Sequence, residues 1–278
     1  MPKHRKPRKP RPCRLCGVVR VNPNDPKITA LSPFFRRFAG ANPDIPIVMC
    51  TFDNSTGRRT NLRNGGIKSG SLHAADVCTP CRLRIANNVD LPAVNILESL
   101  AMLQDVTLDK ETSAAVARWA IKTAHLLLAS EPKFFTPKIA REINNYSDLT
   151  RPIWNNTLVC IGRFPSDAAL GSRFRTFPAG GVENVVGLIT CNNLVITAYA
   201  PHQTTQPAQT ILHKYNSYWA LHNQMQPIWP YMGPIHWPHS KLVDPDFILA
   251  AFQTLGTHHY AIDDPILDAL KRAGLRDR

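Results

Sequence analysis

The sequence predicts an α+β protein built from two folded domains, and three observations indicate this fold class. Two C-x2-C pairs, Cys13–Cys16 and Cys78–Cys81, enclose a basic segment of short extended runs and turns. A helical apolar pattern covers residues 110–129, and alternating apolar patterns on both sides of Asn192-Asn193 indicate a β-hairpin. The predicted parts are a disordered basic arm at residues 1–12, a metal-stabilised domain at residues 13–105 and a mixed α/β domain at residues 106–278.

The two cysteine pairs have the spacing of a structural zinc site, because four thiolates close a tetrahedral shell around one Zn2+. The predicted zinc ligands are Cys13, Cys16, Cys78 and Cys81. A redox-active C-x-x-C pair and four unrelated thiols are the alternatives, but two pairs in one short segment favour zinc. The remaining Cys50, Cys160 and Cys191 are interpreted as buried thiols, with an accessory ligand as the alternative for Cys50.

The net charge of +13 is concentrated in the N-terminal third of the chain. Residues 1–90 carry 17 Lys and Arg against 5 Asp and Glu, whereas residues 91–278 carry 16 against 15. A confined basic field of this size attracts a polyanion, since counterion release favours binding to nucleic acid. We predict nucleic acid as the partner and favour DNA over RNA. The alternatives are an anionic membrane and a basic surface that serves solubility alone.

The predicted phosphate contacts lie mainly in the N-terminal arm and in a polar loop. Residues 1–12 contain six basic residues and four prolines, so the arm is expected to be disordered alone and to lie along phosphates. Residues 54–66 form a loop rich in Asn, Gly and Arg, for which a surface loop without a partner is the alternative. The predicted contact residues are Lys3, Arg5, Lys6, Arg8, Lys9, Arg11, Arg58, Arg59, Arg63 and Arg82.

Local patterns predict the elements of the first domain. A strand is expected at Val18–Val21, a helix begins with Ser32 and Pro33, and Ile45–Phe52 reads as one strand. After the second cysteine pair, a helix at Arg82–Asn88 should be interrupted by Leu91-Pro92.

The second domain has longer patterns. Its predicted helices are Lys110–Ala129 and one that begins at Thr136-Pro137 and runs through Ile143. The segment Ile228–Pro238 is too rich in proline for regular structure. Its tryptophans are expected to cover the sheet edge or the core, with base stacking as the alternative. The further predicted elements are strands at Thr157–Gly162, Val185–Thr190 and Leu194–Ala200, a strand or helix at Thr210–Trp219, and closing helices at Asp246–Leu255 and Pro265–Ala273.

Several classes of protein are excluded by what the sequence lacks. There is no run of 18 apolar residues, and the first 12 residues have no apolar core of a signal peptide. Seven cysteines without such a signal indicate a reducing compartment, so we expect the cytoplasm. The chain also lacks the nucleotide-binding P-loop and G-x-G-x-x-G motifs, the G-x-S-x-G hydrolase motif and the H-E-x-x-H protease motif.

The order of the motifs resembles that of bacterial and phage HNH-endonuclease-like proteins. That group has C-x2-C, then E-H-x-x-P, then C-x2-C-N before a helix, a long helix with R-W-A-x-K-T-A, and later Trp-Pro motifs. The resemblance implies an HNH-like, treble-clef N-terminal domain. The matching stretches here are Cys13-x2-Cys16, Thr29-Ala-Leu-Ser-Pro33, Cys78-x2-Cys81-Arg82, Arg118-Trp-Ala-Ile-Lys-Thr-Ala124, Trp229-Pro230 and Trp237-Pro238.

The chain departs from that group at the catalytic positions. In the group, the histidine of E-H is the general base that activates water, and a second metal neutralises the scissile phosphate. Thr29 and Ala30 occupy the E-H places here, and Arg82 replaces the asparagine after the last cysteine. His73, five residues before Cys78, matches a functional position of HNH enzymes and is the remaining candidate base. The nearby carboxylates that could help to hold a metal are Asp25, Asp53 and Asp76, and none of them forms a recognisable pair with His73.

These features predict a zinc-stabilised nucleic-acid-binding protein on a degenerate HNH-like scaffold, without efficient nuclease activity. One alternative is an active HNH-type DNA endonuclease that uses His73 together with Mg2+ or Mn2+. The other alternative is a structural or protein-interaction role, in which the basic arm binds an acidic partner.

Overall fold

Helices and antiparallel sheets occur together in the protein, which confirms the predicted mixture of α and β structure. None of the helices in the described ranges combines the length and apolar content that a membrane crossing requires. The division of the chain at residue 105 stays a prediction. The computed structural model describes residues 11–21, 28–29, 46–47, 50–52, 59–61, 67–68, 73–74, 77–129, 136–153, 157–165, 173–179, 182–200, 224–238 and 241–244.

Among the described residues before the second cysteine pair there are four pairs of short antiparallel strands. Strands β1 (Arg11–Pro12) and β2 (Arg20–Val21) pair with Arg11 opposite Val21. The predicted disordered arm therefore ends in a strand, and the strand predicted from Val18 begins two residues later. The other strands form three nested pairs: β3 (Ile28–Thr29) with β8 (His73–Ala74), β4 (Pro46–Ile47) with β7 (Ile67–Lys68), and β5 (Cys50–Phe52) with β6 (Arg59–Asn61).

Two predictions for this segment were wrong in detail. The single strand predicted at Ile45–Phe52 is divided between β4 and β5, and part of the predicted polar loop is strand β6. Pairing between β5 and β6 explains the second difference, because Thr60 lies opposite Thr51 and the ladder satisfies backbone groups that a loop would expose to water. The helix predicted from Ser32 lies outside the described residues.

Helix α1 (Thr79–Ile85) continues through a π-helical segment (Ala86–Asp90) into helix α2 (Leu91–Ala101). The predicted interruption at Leu91-Pro92 was therefore wrong. A proline ring clashes with the carbonyl four residues earlier in an α-helix. Here the backbone N–H of Leu91 donates to the carbonyl of Ala86, five residues earlier, so the wider turn lies just before Pro92. The helical path survives because the π turn replaces the hydrogen-bonding pattern that Pro92 would disrupt.

Helix α3 (Lys110–Ala129) has the bounds that the sequence predicts. Asp109 begins it, because its Oδ1 accepts the backbone N–H of Thr112 at 2.8 Å while Thr112 Oγ1 accepts the N–H of Asp109 at 2.9 Å. Trp119 is fully buried, as are the side chains around it on several faces of the helix. Helix α3 is thus enclosed by other elements of the fold rather than lying on its surface.

Helix α4 (Pro137–Tyr146) confirms the predicted start at Thr136 and is about one turn longer than predicted. Thr136 Oγ1 accepts the N–H of Ile139 at 3.3 Å, which caps the helix. Arg118 of α3 holds the far end, since its guanidinium donates to the carbonyls of Tyr146 and Arg151. Arg118 therefore connects α3 to the C-terminal end of α4 through backbone acceptors.

A five-stranded antiparallel sheet covers α3. It consists of β10 (Leu158–Arg163), β11 (Arg173–Ala179), β12 (Val182–Cys191), β13 (Leu194–Ala200) and β14 (Gln226–Trp229), in the order β11-β12-β13-β10-β14. The predicted hairpin is confirmed, with Asn192 at a φ of 50° in the turn between β12 and β13. Asparagine tolerates this left-handed conformation, so the Asn192-Asn193 pair suits the tight turn.

Helix α3 approaches the sheet closely at Gly187 of β12. A methyl group added to Gly187 would lie 2.5 Å from Cβ of Ala124, closer than two carbon atoms can approach. We expect Gly187→Ala to lower the free energy of unfolding by about 1–3 kcal/mol, because overpacking moves α3 away from β12. Urea denaturation measures this change. The double variant Gly187→Ala/Ala124→Gly removes the clash, so it should lose less unfolding free energy than the sum of the losses in the two single variants. A loss equal to that sum would contradict the explanation.

The segment Ile228–Pro238 was wrongly predicted to be irregular, since it contains the end of β14 and all of strand β15 (Ile235–Trp237). Pro227 is tolerated because β14 is an edge strand of the sheet. Strand β15 pairs with β9 (Val106–Leu108). Trp237 is buried, and its Nε1 donates to the carbonyl of Leu100 at 3.0 Å, which confirms a core role for this residue. The elements predicted at Thr210–Trp219, Asp246–Leu255 and Pro265–Ala273 lie outside the described residues.

Candidate metal centre

The first cysteine pair lies in the turn between β1 and β2. The backbone N–H of Cys13 donates to the carbonyl of Val19 at 2.7 Å, and the N–H of Gly17 donates to the carbonyl of Cys13 at 2.8 Å. Gly17 has a φ of +72°, a conformation that residues with a Cβ rarely adopt. These contacts fold the chain back on itself, so Cys13 and Cys16 point to one side of the turn.

The second cysteine pair lies at the start of α1. Cys78 is the residue before the helix, and Cys81 is in its first turn, where Pro80 favours helix initiation. The backbone N–H of Cys78 donates to Sγ of Cys13 at 3.2 Å, which connects the two pairs. A helix N-terminus also carries a partial positive charge that favours thiolates.

The four sulfur atoms form one compact group, in which every Sγ lies within 4.8 Å of the others. Sγ of Cys16 lies 3.8 Å from Sγ of Cys78. A tetrahedron with zinc–sulfur bonds of about 2.3 Å has sulfur atoms about 3.8 Å apart. Three of the cysteines are buried and Cys16 is half-buried. The group can therefore hold a metal ion such as zinc with little movement of its side chains.

The electrostatics of the group also fit a cation. Burial raises the pKa of Cys16, but the backbone N–H groups of Val19 and Val18 and the neighbouring Cys13 and Cys78 outweigh it and lower the pKa to about 6. The pKa of Cys81 is raised, first by burial and then by its hydrogen bond to Cys78 and the charge of Cys13. Cys13 and Cys78 thus favour ionisation of Cys16 and oppose that of Cys81, and a divalent cation among the four thiols would stabilise their thiolate forms.

Side chains from the C-terminal part of the chain hold the cysteine turn in place. Asn144 of α4 donates from Nδ2 to the carbonyl of Leu15, at 2.6 Å, and Leu15 lies between the first two cysteines. Oδ1 of Asn144 accepts from Nη2 of Arg84 at 2.6 Å, so the same amide also contacts α1. The sequence pattern gave no signal for this contact, because Asn144 and Leu15 are separated by 129 residues.

The structure describes only some of the predicted phosphate contacts. Arg11 is exposed in β1, and Arg59 lies in β6. Arg82 follows Cys81 and is half-buried, and within the described residues its Nε is buried without a hydrogen-bond partner. The predicted contacts outside the described residues are Lys3, Arg5, Lys6, Arg8, Lys9, Arg58 and Arg63.

The catalytic candidates are described only in part. Strand pairing places His73 in β8 directly opposite Thr29 in β3. Ala30 and the carboxylates Asp25, Asp53 and Asp76 lie outside the described residues. The pairing therefore brings the predicted candidate base and Thr29 to adjacent strands.

The stretch Arg118–Ala124, which carries part of the HNH-like resemblance, has contacts that explain it structurally. Arg118 anchors the chain after α4, and Trp119 fills the core. Nζ of Lys122 lies 2.6 Å from Oδ1 of Asp90. These residues hold α3 against α4 and the π segment.

The cysteines of the sheet are separate from the metal centre. Cys160 of β10 and Cys191 of β12 are buried, and burial raises the pKa of each thiol to about 12. The prediction of ordinary buried thiols is confirmed for these two. Cys50 lies in β5.

In comparisons with known proteins, no protein family, no curated protein and no solved structure matches the chain.

Proposed function

We propose that the chain is a zinc-stabilised protein that binds nucleic acid through its N-terminal segment. The observation that carries this proposal is the coincidence of charge and metal centre: residues 1–90 hold a net charge of +12 and all four clustered cysteines. A metal centre provides rigidity to the segment that contains it, and a basic surface on a rigid support suits phosphate binding. The partner we favour is DNA.

The scaffold we infer is a treble clef of the HNH-like type. In support, the first cysteine pair lies in a turn between two strands, and the second pair lies at the start of a helix. Filling all four coordination positions with thiolate leaves no position for water, so zinc at this centre serves structure rather than hydrolysis.

We further propose that the protein lacks efficient nuclease activity. Ala30 has no group that can accept a proton where the HNH-like pattern places the base, and Thr29 replaces the neighbouring acid. Losing a positioned general base costs about 10²–10⁴-fold in rate. Arg82, directly after the metal centre, adds positive charge that repels a second cation and attracts phosphate.

Binding should depend steeply on salt through the N-terminal arm. Because Arg11 and Pro12 belong to β1, the deletion that tests the arm is limited to residues 1–10, which contain five Lys and Arg. The slope of log K against log salt for duplex DNA should become shallower by up to about 4.5, at roughly 0.9 per phosphate contact. Fluorescence anisotropy at several salt concentrations measures the slope. An unchanged slope would show that the arm does not contact phosphates.

A second candidate function is an HNH-type endonuclease that uses His73, and one observation favours it. The pairing of β3 with β8 sets His73 opposite Thr29, next to the position of the missing base. The test is nicking of supercoiled plasmid by the unaltered chain, His73→Ala and Ala30→His in Mg2+ and in Mn2+. We expect little nicking by the unaltered chain. Rapid nicking that His73→Ala abolishes would establish the nuclease and contradict binding without cleavage.

A further inference from the structure

Helix α4 has one basic, solvent-facing side. Lys138 and Arg141 are three residues apart, so they project from the same side of the helix, followed there by Asn144 and Asn145. Arg141 is exposed and the other three are half-buried. The opposite side is buried and consists of Ile139, Ala140, Glu142, Ile143 and Tyr146. We call the residues Lys138, Arg141, Asn144 and Asn145 the α4 face.

The α4 face is attached directly to the metal centre. Asn144 uses both polar atoms of its amide, donating to the carbonyl of Leu15 and accepting from Arg84. A third contact runs beside it, from Nδ2 of Asn88 in the π segment to the carbonyl of Ser147 at 3.0 Å. The cysteine turn, helix α1 and helix α4 are therefore held in fixed relative positions, with exposed Arg84 beside the α4 face.

The acidic groups in this region do little to cancel the positive charge. Residues 136–153 contain Glu142 and Asp148 as their only acids. Glu142 is buried, and that burial raises its pKa to about 7 although Arg141, Lys138 and Arg151 act to lower it, so part of its population is neutral at neutral pH. Asp148 is occupied by Thr150 and by Arg151, whose Nε lies 3.3 Å away.

We propose that the α4 face and Arg84 form a second phosphate-binding surface, continuous with the metal centre, that contacts the backbone of duplex DNA. The inference rests on the proposed nucleic-acid binding and extends it to a helix of the C-terminal part, where the net charge of residues 91–278 is only +1. Half-buried Lys138 and exposed Arg141 lie on one helix, and cations on a rigid helix give phosphate contacts that fix the orientation of a duplex.

The test compares two double variants that remove equal charge. Lys138→Ala/Arg141→Ala removes two cations from the α4 face, whereas Lys110→Ala/Lys241→Ala removes two exposed lysines elsewhere. Binding to a fluorescent DNA duplex is measured as a function of salt. We expect the first variant to make the slope of log K against log salt shallower by about 2, and the second to leave it within about 0.5 of the unaltered chain. The charge-preserving variant Lys138→Arg/Arg141→Lys should retain the original slope.

The outcomes separate this inference from the proposed function. If the unaltered chain does not bind DNA, both are wrong. If it binds and both double variants have equal slopes, the α4 face is not a contact and the inference alone is overturned. Circular dichroism of each variant establishes that it is folded, and the charge-preserving variant tests charge at the same two positions without shortening either side chain to alanine. Loss of slope in that variant as well would also overturn the inference, because charge would then not be the cause.

Discussion

Replacing Cys81 with serine is expected to abolish zinc binding at the candidate metal centre and to unfold the cysteine-bearing segment. Cys81 is buried and supplies one of four sulfur atoms that lie within 4.8 Å of one another. The free energy of zinc binding in structural sites is about 10–16 kcal/mol at pH 7, and it is also folding free energy, so losing one thiolate removes a large share of the stability. Elemental analysis should give one zinc per unaltered chain and much less in the variant.

The matched control is Cys160→Ala, which removes a buried thiol from β10, outside the metal centre. This control should keep one zinc per chain, although it loses some stability through the small cavity. Limited proteolysis should cleave the N-terminal segment of Cys81→Ser much faster than that of the control. Freshly purified, reduced protein without metal would contradict the zinc site, and iron in place of zinc would contradict only the identity of the ion.

Breaking the ion pair between Lys122 and Asp90 should have the second largest effect, and an unequal one. The Lys122 side chain is 1% exposed, whereas that of Asp90 is 21% exposed. Asp90→Ala leaves an ammonium group buried without its partner, which costs about 3–5 kcal/mol of unfolding free energy. Lys122→Met should cost less, because water can reach the carboxylate that remains.

The double variant Asp90→Ala/Lys122→Met provides the control for this pair. An apolar side chain of similar length fills the space of the lysine, and no buried charge is left unpaired, so its stability should approach that of the unaltered chain. Thermal or urea denaturation of the four proteins gives the coupling energy between the two residues. If Asp90→Ala lowers the free energy of unfolding by less than Lys122→Met does, an unpaired buried lysine is not the main cost of breaking the pair.

The sequence predicts the long elements because their signals are local and repeated. Twenty residues of helical periodicity fix α3, and apolar alternation on both sides of Asn192-Asn193 fixes the hairpin. Two of the errors arise where proline was interpreted as a break. Pro92 continues a helix after a π turn, and Pro227 lies in an edge strand, where its missing N–H has no partner to lose. The conformational preference of proline alone does not reveal a preceding π turn or a position in an edge strand.

The metal centre also shows that local sequence patterns do not predict contacts between distant residues. Four cysteines are visible in the sequence because each pair has a characteristic spacing of its own. The contact of Asn144 with Leu15 joins residues that are far apart in the chain, so no local pattern could predict it. The α4 face was missed for a related reason, since Lys138 and Arg141 lie in a part of the chain with almost no net charge. The proposed role depends on the fold, in which Asn144 of the same helix contacts Arg84 and the cysteine turn.

The π segment also sets the angular position of the metal centre around the helix axis. Buried Cys81, Ile85, Val89, Ala93 and Leu97 recur every four residues. In a continuous α-helix this spacing would drift by about 40° at each step, so Leu97 would lie nearly opposite Cys81. The wide turn at Ala86–Asp90 takes up about one extra residue and returns the later side chains to the same side. Deleting one residue there would turn the cysteines by about 100° around the helix axis relative to the core. The extra residue of the π segment therefore aligns the metal centre with the buried side of the helix that follows.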